Sequence, residues 1–551
     1  MDVVGRWYRN AVIYSLDVRT FQDSNSDGIG DFVGLTSRLD YLARLGVTTL
    51  WLSPIHPTTG RDGGYDVLDH YAVDPALGSL GDFAEFLDQA DERGLRVMID
   101  LVVNHTSNEH PWFTAACGDP SSPYRDWYVW SQQEPPDRTQ GMVFPGVQKE
   151  TWTYDETAGA WYFHRFYDFE PDLDICHPAV KAEILKIAAY WIRLGVSGFR
   201  MDAAPFVLEQ TTPGDDSPPR DYSFLVQLRE ELSWNRGNAV LLAEANVPDD
   251  ELLEFFGDAD GSASRVHLLF GFRLNQAVML ALAREDATAI AETVRAMPEL
   301  PRHGQWATFL RNHDEVDLSN LSEDERADVF AAFGPDPDQQ LYGRGIRRRL
   351  APMLGGDRRR LEMAYSLQFT MPGTPVLRYG DELGMGEDLS LPERTAIRTP
   401  MQWSATANGG FSTAPAEDLT VPMVQGETFG YAAVNVTDQR RDPASLLVWF
   451  ERMLHTLREC PEVGAGRHTP MAVGPAHVLV HQVSHGSGAL LLLHNLGRTP
   501  ARLDVRAQVE ADGPVLELFG DQDYGEPDLA ALELAPYGYR WIRLRGGAGR
   551  P

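Results

Sequence analysis

The chain has 551 residues, 48 of them basic and 80 acidic, for a net charge of −32. A surface this acidic repels phosphate backbones and anionic membranes, which excludes nucleic acid as an expected partner and leaves neutral substrates or cations. Three widely spaced cysteines, Cys117, Cys176 and Cys460, fit neither a disulfide framework nor a Cys-type zinc site and read as buried thiols of a reducing cytosol.

In chain order, the first strand signal is "AVIYSLDV". The next stretch, "DSNSDGIGD", places Asp23, Asn25 and Asp27 at alternate positions, then Gly28 and Asp31. An EF-hand begins this way. Here, however, a strand precedes the loop instead of a helix, and Gly34 stands where the bidentate glutamate would be. "GLTSRLDYLARLG" carries Leu35, Leu39, Leu42 and Leu45 at helical spacing. Strand "VTTLWLSPI", helix "DFAEFLDQADERG" and strand "LRVMIDLVV" follow. From Asn104 to about Cys176 the helical period fails, and aromatics, Pro and Asp dominate; a loop this long inside a compact domain is usually functional. The alternation resumes with helix "HPAVKAEILKIAAYWIRLG" and strands "VSGFRMDAA", "AVLLAEA", "RVHLLF", "QWATFLRNHD" and "TPVLRYGDE". A second irregular insertion lies between Asp314 and Arg360, and after about Pro475 the pattern alternates like antiparallel strands.

Eight near-continuous apolar strands separated by helices predict a parallel sheet covered on both faces, in an α/β (β/α)8 TIM barrel. An open doubly wound sheet is the alternative, but no Gly-rich fingerprint follows the first strand. The expected domains are the barrel at 1–104 and 177–474, an inserted subdomain at 105–176, and a C-terminal antiparallel β-sandwich at 475–551. No apolar run approaches the ~20 residues of a membrane span, so the expectation is a soluble, cytoplasmic protein.

In such a barrel the site lies at the C-terminal ends of the strands. Those ends carry Asp100, Asn104 and His105; Arg200 and Asp202; Glu244 and Asn246; Arg311, His313, Asp314 and Glu315; and Asp381 and Glu382. Carboxylates crowded in one pocket must divide roles, because one has its pKa raised and can serve as an acid. Arg200 and Asp202, two apart on a strand, share a face, which suits Asp202 as an ionised nucleophile and leaves Glu244 as general acid/base. Two carboxyls about 5–5.5 Å apart make a retaining glycosidase; a structural ring of ion pairs at a barrel rim is the other reading.

The blocks "DLVVNH", "GFRMDAA", "AEAN" and "FLRNHDE" resemble, in order and spacing, those of the α-amylase superfamily (glycoside hydrolase family 13), and the resemblance spans nearly the whole chain. It implies Asp202 as nucleophile, Glu244 as acid/base, and Asp314 holding the ring hydroxyls. It also implies Arg200, His105 and His313 around the bound glucose, with Asn246 and Glu315 beside them. Asp62 and Tyr65 of "DGGYD" match a clamp for the non-reducing glucose, and Arg398 of "IRTPMQW" matches the arginine that closes that clamp against Asp62. Relatives that act on short sugars hold one divalent ion in the loop after the first strand, which implies Ca2+, or Mg2+ in its place, on Asp23, Asn25, Asp27, the Ile29 carbonyl and Asp31.

"YGRGIRRRLAPML", "RTPMQWSATANGGFS" and "FHRFYDFEPDL" carry a nearer resemblance, to the trehalose synthases within that superfamily. It implies isomerisation of maltose to trehalose through a covalent glucosyl–Asp202 intermediate, with side hydrolysis and with the two insertions as lids. It also implies a second Ca2+ on Asn104, Asp172, Glu209 and the Phe206 and Val207 carbonyls, and no organic cofactor. Relatives are often dimers or larger, which leaves a homo-oligomer open. "VPDDE" after "AEAN", "VHLLFGFRLNQAV", "DLDICHP" and Ser319 depart from the usual pattern around the acceptor sugar. An α-glucosidase acting on short α-glucosides, or a transglucosylase for another acceptor, therefore stays open. Catalytically dead relatives that serve as transporter partners lack the carboxylates and carry a membrane anchor, unlike this chain.

Overall fold

In the computed structural model, which describes residues 6–211, 218–258, 263–486, 488–509 and 515–545, eight parallel strands close into a barrel. They are β1 (Ile13–Leu16), β2 (Thr49–Leu52), β3 (Arg96–Leu101), β4 (Gly198–Met201), β5 (Val240–Ala243), β6 (Leu268–Phe270), β7 (Gln305–Thr308) and β8 (Thr374–Arg378). Each of the eight segments expected to be a strand is one. The ring closes where β1 pairs with both β2 and β8.

The two-residue period of a strand sorts the side chains. Ile13, Trp51, Met98, Val240, Leu242, Leu268, Ala307 and Val376 form the interior core. Tyr14, Leu50, Leu52, Val97, Ile99, Phe199, Met201, Leu241 and Leu269 face the surrounding helices. The same alternation carries Asp100 after Met98, Asp202 after Arg200, and Glu244 after Leu242 onto the inward face at the top of the barrel. Asp100 is in register with Arg200, and Arg200 with Leu242.

The helices follow local rules. His177 caps helix Pro178–Leu194 by accepting from the Ala179 N–H, Pro178 occupies the first turn, and Gly195 (φ 128) ends it. Its buried stripe of Val180, Ile184, Ile187, Trp191 and Ile192 covers the barrel, each large side chain contributing roughly 1.5–3 kcal/mol of burial. "GLTSRLDYLARLG" forms two helices, Phe32–Ser37 and Leu39–Leu45, because Arg38 leaves helical geometry (φ −105, ψ 3). Its guanidinium turns to Gln22 Oε1 and lies 4.1 Å from the centroid of the Trp403 ring.

Both insertions rise over the C-terminal end of the barrel. The first contains helix Pro111–Gly118 and a three-stranded sheet of Trp130–Ser131, Ala160–Phe163 and Trp152–Asp155. The bridges His105–Asp172 and Tyr128–Leu173 tie its two ends together. The second contains helix Glu323–Phe333 and a small three-stranded sheet of Val316–Asp317, Gly345–Ile346 and Gln340–Leu341. At the C-terminus a five-stranded antiparallel sheet faces a two-stranded one across Val480, Leu491, Leu493, Leu503, Leu532 and Leu534. Its first strand, Arg467–Met471, lies ahead of residue 475 and begins as soon as Gly466 ends the preceding helix. Residues 1–5 and 546–551, the outer ends of the expected first and last domains, lie outside the described residues.

Cys117 and Cys460 are buried, but Cys176 is exposed, contrary to the expectation of three buried thiols. It sits on the Asp174–His177 turn, where its N–H bonds Asp174 Oδ1, so its side chain precedes the buried stripe of the helix. No described helix is long and apolar enough to cross a membrane.

Candidate active site

At the top of β4 and β5 one guanidinium organises three carboxylates. Arg200 Nη1 donates to Asp100 Oδ1 at 3.0 Å and to Asp202 Oδ1 at 2.5 Å, while Nη2 lies 2.6 Å from Glu244 Oε2. The terminal nitrogens of a guanidinium are about 2.3 Å apart, so the Asp202 and Glu244 oxygens it holds lie within ~8 Å of each other. The parallel ladder runs one residue past the strands, with Asp202 N–H to Leu101 O and Glu244 N–H to Met201 O. Ala203, just after Asp202, has left-handed backbone (φ 49) and turns its N–H to Glu244 Oε2. That conformation is strained for an alanine and turns the chain sharply out of the strand.

The opposite wall comes from the loops after β2, β3, β7 and β8. The Tyr65 hydroxyl donates to Asp100 Oδ2 (3.1 Å) and lies 2.8 Å from His313 Nε2, with the two rings stacked. His313 Nε2 is also 3.1 Å from Asp314 Oδ2. His105 Nε2 is 3.2 Å from the Tyr65 carbonyl. Asp314 Oδ1 receives Arg394 Nη1 (3.1 Å) and Arg398 Nη2 (2.9 Å).

The arginine on Asp62 is not Arg398. Arg394 Nη2 lies 3.0 Å from Asp62 Oδ1, whereas Arg398 bonds Asp314 and the His313 carbonyl. The two arginines sit four apart, at either end of the short 3-10 helix Glu393–Ile397. Both reach Asp314, but only Arg394 also reaches Asp62, so Arg394 bridges the two carboxylates. Side chains from both insertions complete a pocket of about 390 Å³, lined among others by Asp62, Tyr65, His105, Phe144, Phe166, Glu170, Asp202, Glu244, His313, Asp314, Arg344 and Arg394. That volume lies within the ~300–1,000 Å³ of small-molecule sites.

The acids differ sharply in proton affinity. Burial pushes Glu244 up to about 7; Arg200 opposes this, and the Asp202 and Asp314 charges add to it. Burial also raises Asp202 above its ordinary value against the pull of Arg200, so the guanidinium does not fully offset desolvation as the sequence spacing suggested. Burial works to raise Asp314 too, but His313, Arg394, Arg398 and Arg200 together hold it well below the usual carboxylate range. Burial lowers His105 to about 4, and His313 well below its ordinary value, so both are neutral imidazoles near pH 7.

Of the other expected sugar-binding residues, Glu315 lines the pocket and is raised to about 7 by burial, with Arg394 opposing. Asn246 lines it as well, but its side chain is committed to the second insertion through Asp317 (2.6 Å), Ser319 (3.3 Å) and Asn320 (2.9 Å). Arg394, Phe144, Phe166, Glu170 and Arg344 were not anticipated. Arg394 had a signal, an arginine one helical turn before Arg398; the others lie in stretches with no periodicity.

In the first loop, Asp23 accepts from the N–H groups of Asn25, Ser26 and Gly28 and from Ser412 Oγ. Asn25 accepts from the Asp27 N–H, and Asp27 from the Ile29 N–H. Asp31 accepts from Ser24 and from the Gly34 N–H. The loop is thus a chain of Asx turns. Its side-chain donors are all oxygen, the type a hard cation takes, but in this conformation they are turned to backbone N–H and hydroxyl donors, and Asp23, Asp27 and Asp31 do not converge as a metal-binding group. The second expected set does not fit. Asp172 bonds the Arg165 N–H, the Phe206 carbonyl accepts from Glu209 N–H, and Val207 follows on the same short helix. Asn104 bonds the Asp172 side chain. Both Glu209 oxygens are taken by guanidinium groups, Arg165 at 2.6 Å and Arg220 at 3.1 Å. Two cations already in contact with that carboxylate leave no charge for a dication to neutralise. Among the described residues, no three His, Cys, Asp or Glu side chains converge as a metal-binding group.

Comparison with known proteins agrees with this geometry. The family description "Alpha amylase, catalytic domain" matches residues 14–332 and 347–464, and "Sucrose hydrolase-like, C-terminal domain" matches 488–543. A trehalose synthase of Pimelobacter sp. is 39% identical over 99% of this chain and 97% of its own length. A trehalose synthase of Thermus thermophilus is 41% identical over 98% of this chain, which spans 56% of that protein's length. The crystal structure of the α-amylase from H. orenii superposes with a TM-score of 0.77 at 25% identity, over 97% of this chain and 99% of that one.

Proposed function

The chain belongs to the α-amylase family and is an enzyme of that family, and from this premise we propose that it isomerises maltose to trehalose through a glucosyl–Asp202 intermediate, with hydrolysis as a side reaction. The observation that carries the chemistry is the single Arg200 guanidinium holding Asp202 and Glu244 together in the pocket. Full-length similarity to proteins named trehalose synthase supports the choice of acceptor.

The steps give each acid a separate role, with Asp202 acting in its carboxylate form. Asp202, ionised, attacks the anomeric carbon of the non-reducing glucose. The bond to the 4-oxygen of the second glucose breaks, and Glu244, protonated up to about pH 7, gives its proton to that oxygen. Asp314, kept ionised by its arginines, faces the positive charge that develops at the ring. The freed glucose turns in place and presents its anomeric hydroxyl. Glu244, now a carboxylate, takes that proton as the oxygen attacks and the bond to Asp202 breaks. Two inversions give retention at the transferred glucose, and attack by the α-anomeric hydroxyl of the turned glucose completes the α,α linkage. Water entering instead yields two glucoses, so yield depends on the roof that the two insertions place over the pocket.

Incubation with maltose and product analysis by NMR tests the reading. Trehalose is the expected main product; glucose alone replaces isomerisation with α-glucosidase activity.

For the loop at 23–31 we propose one bound Ca2+, or Mg2+ in its place, with a structural role. Asp23, Asp27 and Asp31 lie within nine residues of chain, and their mutual repulsion favours a cation on the oxygens. Binding to the folded state alone stabilises it by mass action, so EDTA is expected to lower Tm by a few degrees, and added Ca2+ to restore it. A Tm that EDTA leaves unchanged removes the ion.

A further inference from the structure

Among the described residues, seven that are not glycine have positive φ, and two of them, Tyr342 (φ 55) and Glu393 (φ 40), touch each other above the catalytic pocket. Side chains of this size occupy the left-handed region only where their surroundings over-determine it, and such residues cluster at functional sites. The surroundings here can be named. Glu393 Oε2 accepts from the Tyr167 hydroxyl at 2.7 Å and from the Tyr342 hydroxyl at 3.0 Å. Tyr167 belongs to the first insertion, Tyr342 to the second, and Glu393 to the loop after β8. Both tyrosine rings pack on Phe144, with centroids 5.1 and 4.9 Å away. Three segments remote in sequence thus meet on one carboxylate oxygen.

The residue after Glu393 is Arg394, which bridges Asp62 and Asp314 and whose guanidinium carbon lies 4.9 Å from the Phe144 ring centroid. Arg347 holds the same loop from behind, donating to the carbonyls of Leu389, Leu391 and Glu393. Glu393, Tyr167 and Tyr342 do not line the pocket; they reach it through neighbours that do, Arg394 next to Glu393 and Phe144 against both tyrosine rings.

We propose that Glu393 is a positioning residue: clasped by Tyr167 and Tyr342, it fixes the left-handed turn that aims Arg394 at Asp62 and Asp314, and so couples the seating of both insertions to a closed sugar pocket. This rests on the glucosyl-transfer reading and adds to it what sets the share of intermediate lost to water. When the clasp is formed, Arg394 bridges the two carboxylates and the roof is seated. When it is absent, Arg394 loses its fixed direction, sugar is held less well, and water reaches the glucosyl–Asp202 ester.

The test uses the intact protein with the Tyr167→Phe/Tyr342→Phe double variant, Glu393→Gln and Glu393→Gly, on maltose. Loss of hydrogen bonds to a charged group is expected to raise KM about tenfold while kcat changes less, and to lower the trehalose-to-glucose ratio severalfold. Glycine adopts φ 40 freely but lacks the carboxylate, so Glu393→Gly is expected to fail like the others. Wild-type KM and product ratio in that variant, or in the folded double variant, overturn the proposal even if Tm falls, since the clasp would then be scaffolding only. If the wild type makes no trehalose, it is the functional reading that fails. The clasp is then judged on KM for α-glucoside hydrolysis, where a rise supports it and no change ends it.

Discussion

Asp202→Asn is expected to cut turnover of a chromogenic α-glucoside by about 10⁴-fold or more, the scale seen when a covalent nucleophile is removed, with no loss of fold. Asparagine keeps an oxygen for Arg200 Nη1 but cannot form the glucosyl ester. The buried environment predicts the stability sign. Asp202 sits at 2.5 Å from Arg200 and shares that cation with Asp100 and Glu244, and its pKa lies above the ordinary value because burial penalises the charge. Removing one of several crowded carboxylates relieves repulsion while the remaining two still neutralise the guanidinium. Tm is therefore expected to stay level or rise slightly. Equal turnover by variant and wild type, in an assay able to detect a thousandth of the wild-type rate, ends the assignment.

The second large effect is in the pH profile. With Glu244 at about 7 in the free protein, its carboxyl is protonated below that pH and able to deliver a proton; above it the acid is lost. The value of kcat/KM is thus expected to fall on the alkaline side with a midpoint near 7. Glu244→Gln is expected to lose about 10²–10⁴-fold on maltose, whose leaving oxygen needs the proton. It should lose much less on an aryl glucoside with an acidic leaving group, and its alkaline limb should vanish. Azide, which needs no base to attack the glucosyl ester, should restore turnover of that substrate. A Glu244→Gln profile that keeps the limb near 7 would move the acid elsewhere, and Glu315, raised to about the same value in the same pocket, is the residue to replace next.

The barrel was legible because its strands are apolar, and the alternation that buries Ile13, Trp51, Met98 and Leu242 inside also carries the polar strand ends inward. Asp202 and Glu244 could be singled out before any coordinates, since one residue of shift in either strand would have turned its carboxylate away from the site. The donor to Asp62 could not. Arg394 and Arg398 are chemically alike and four residues apart, and the choice between them depends on a left-handed φ at Glu393 that two distant tyrosines maintain. The second metal set failed for a related reason. Side-chain identity at Asn104, Asp172 and Glu209 suits a cation, but nothing in the linear order reveals that Arg165 and Arg220 already occupy Glu209.

What the sequence determined by itself was what is written in short-range periodicity: the strands, the apolar stripes of the helices, and which strand ends carry acids. What only the tertiary structure decided was which charges meet, how far each acid is desolvated, and how the two insertions lock onto the loop after β8. Those outcomes depend on distances of 2.5–3.1 Å between residues that can be hundreds apart in the chain, as from Asp62 to Arg394. Coulomb and desolvation energies change steeply over such distances, and the spacing of residues along the chain carries no record of them.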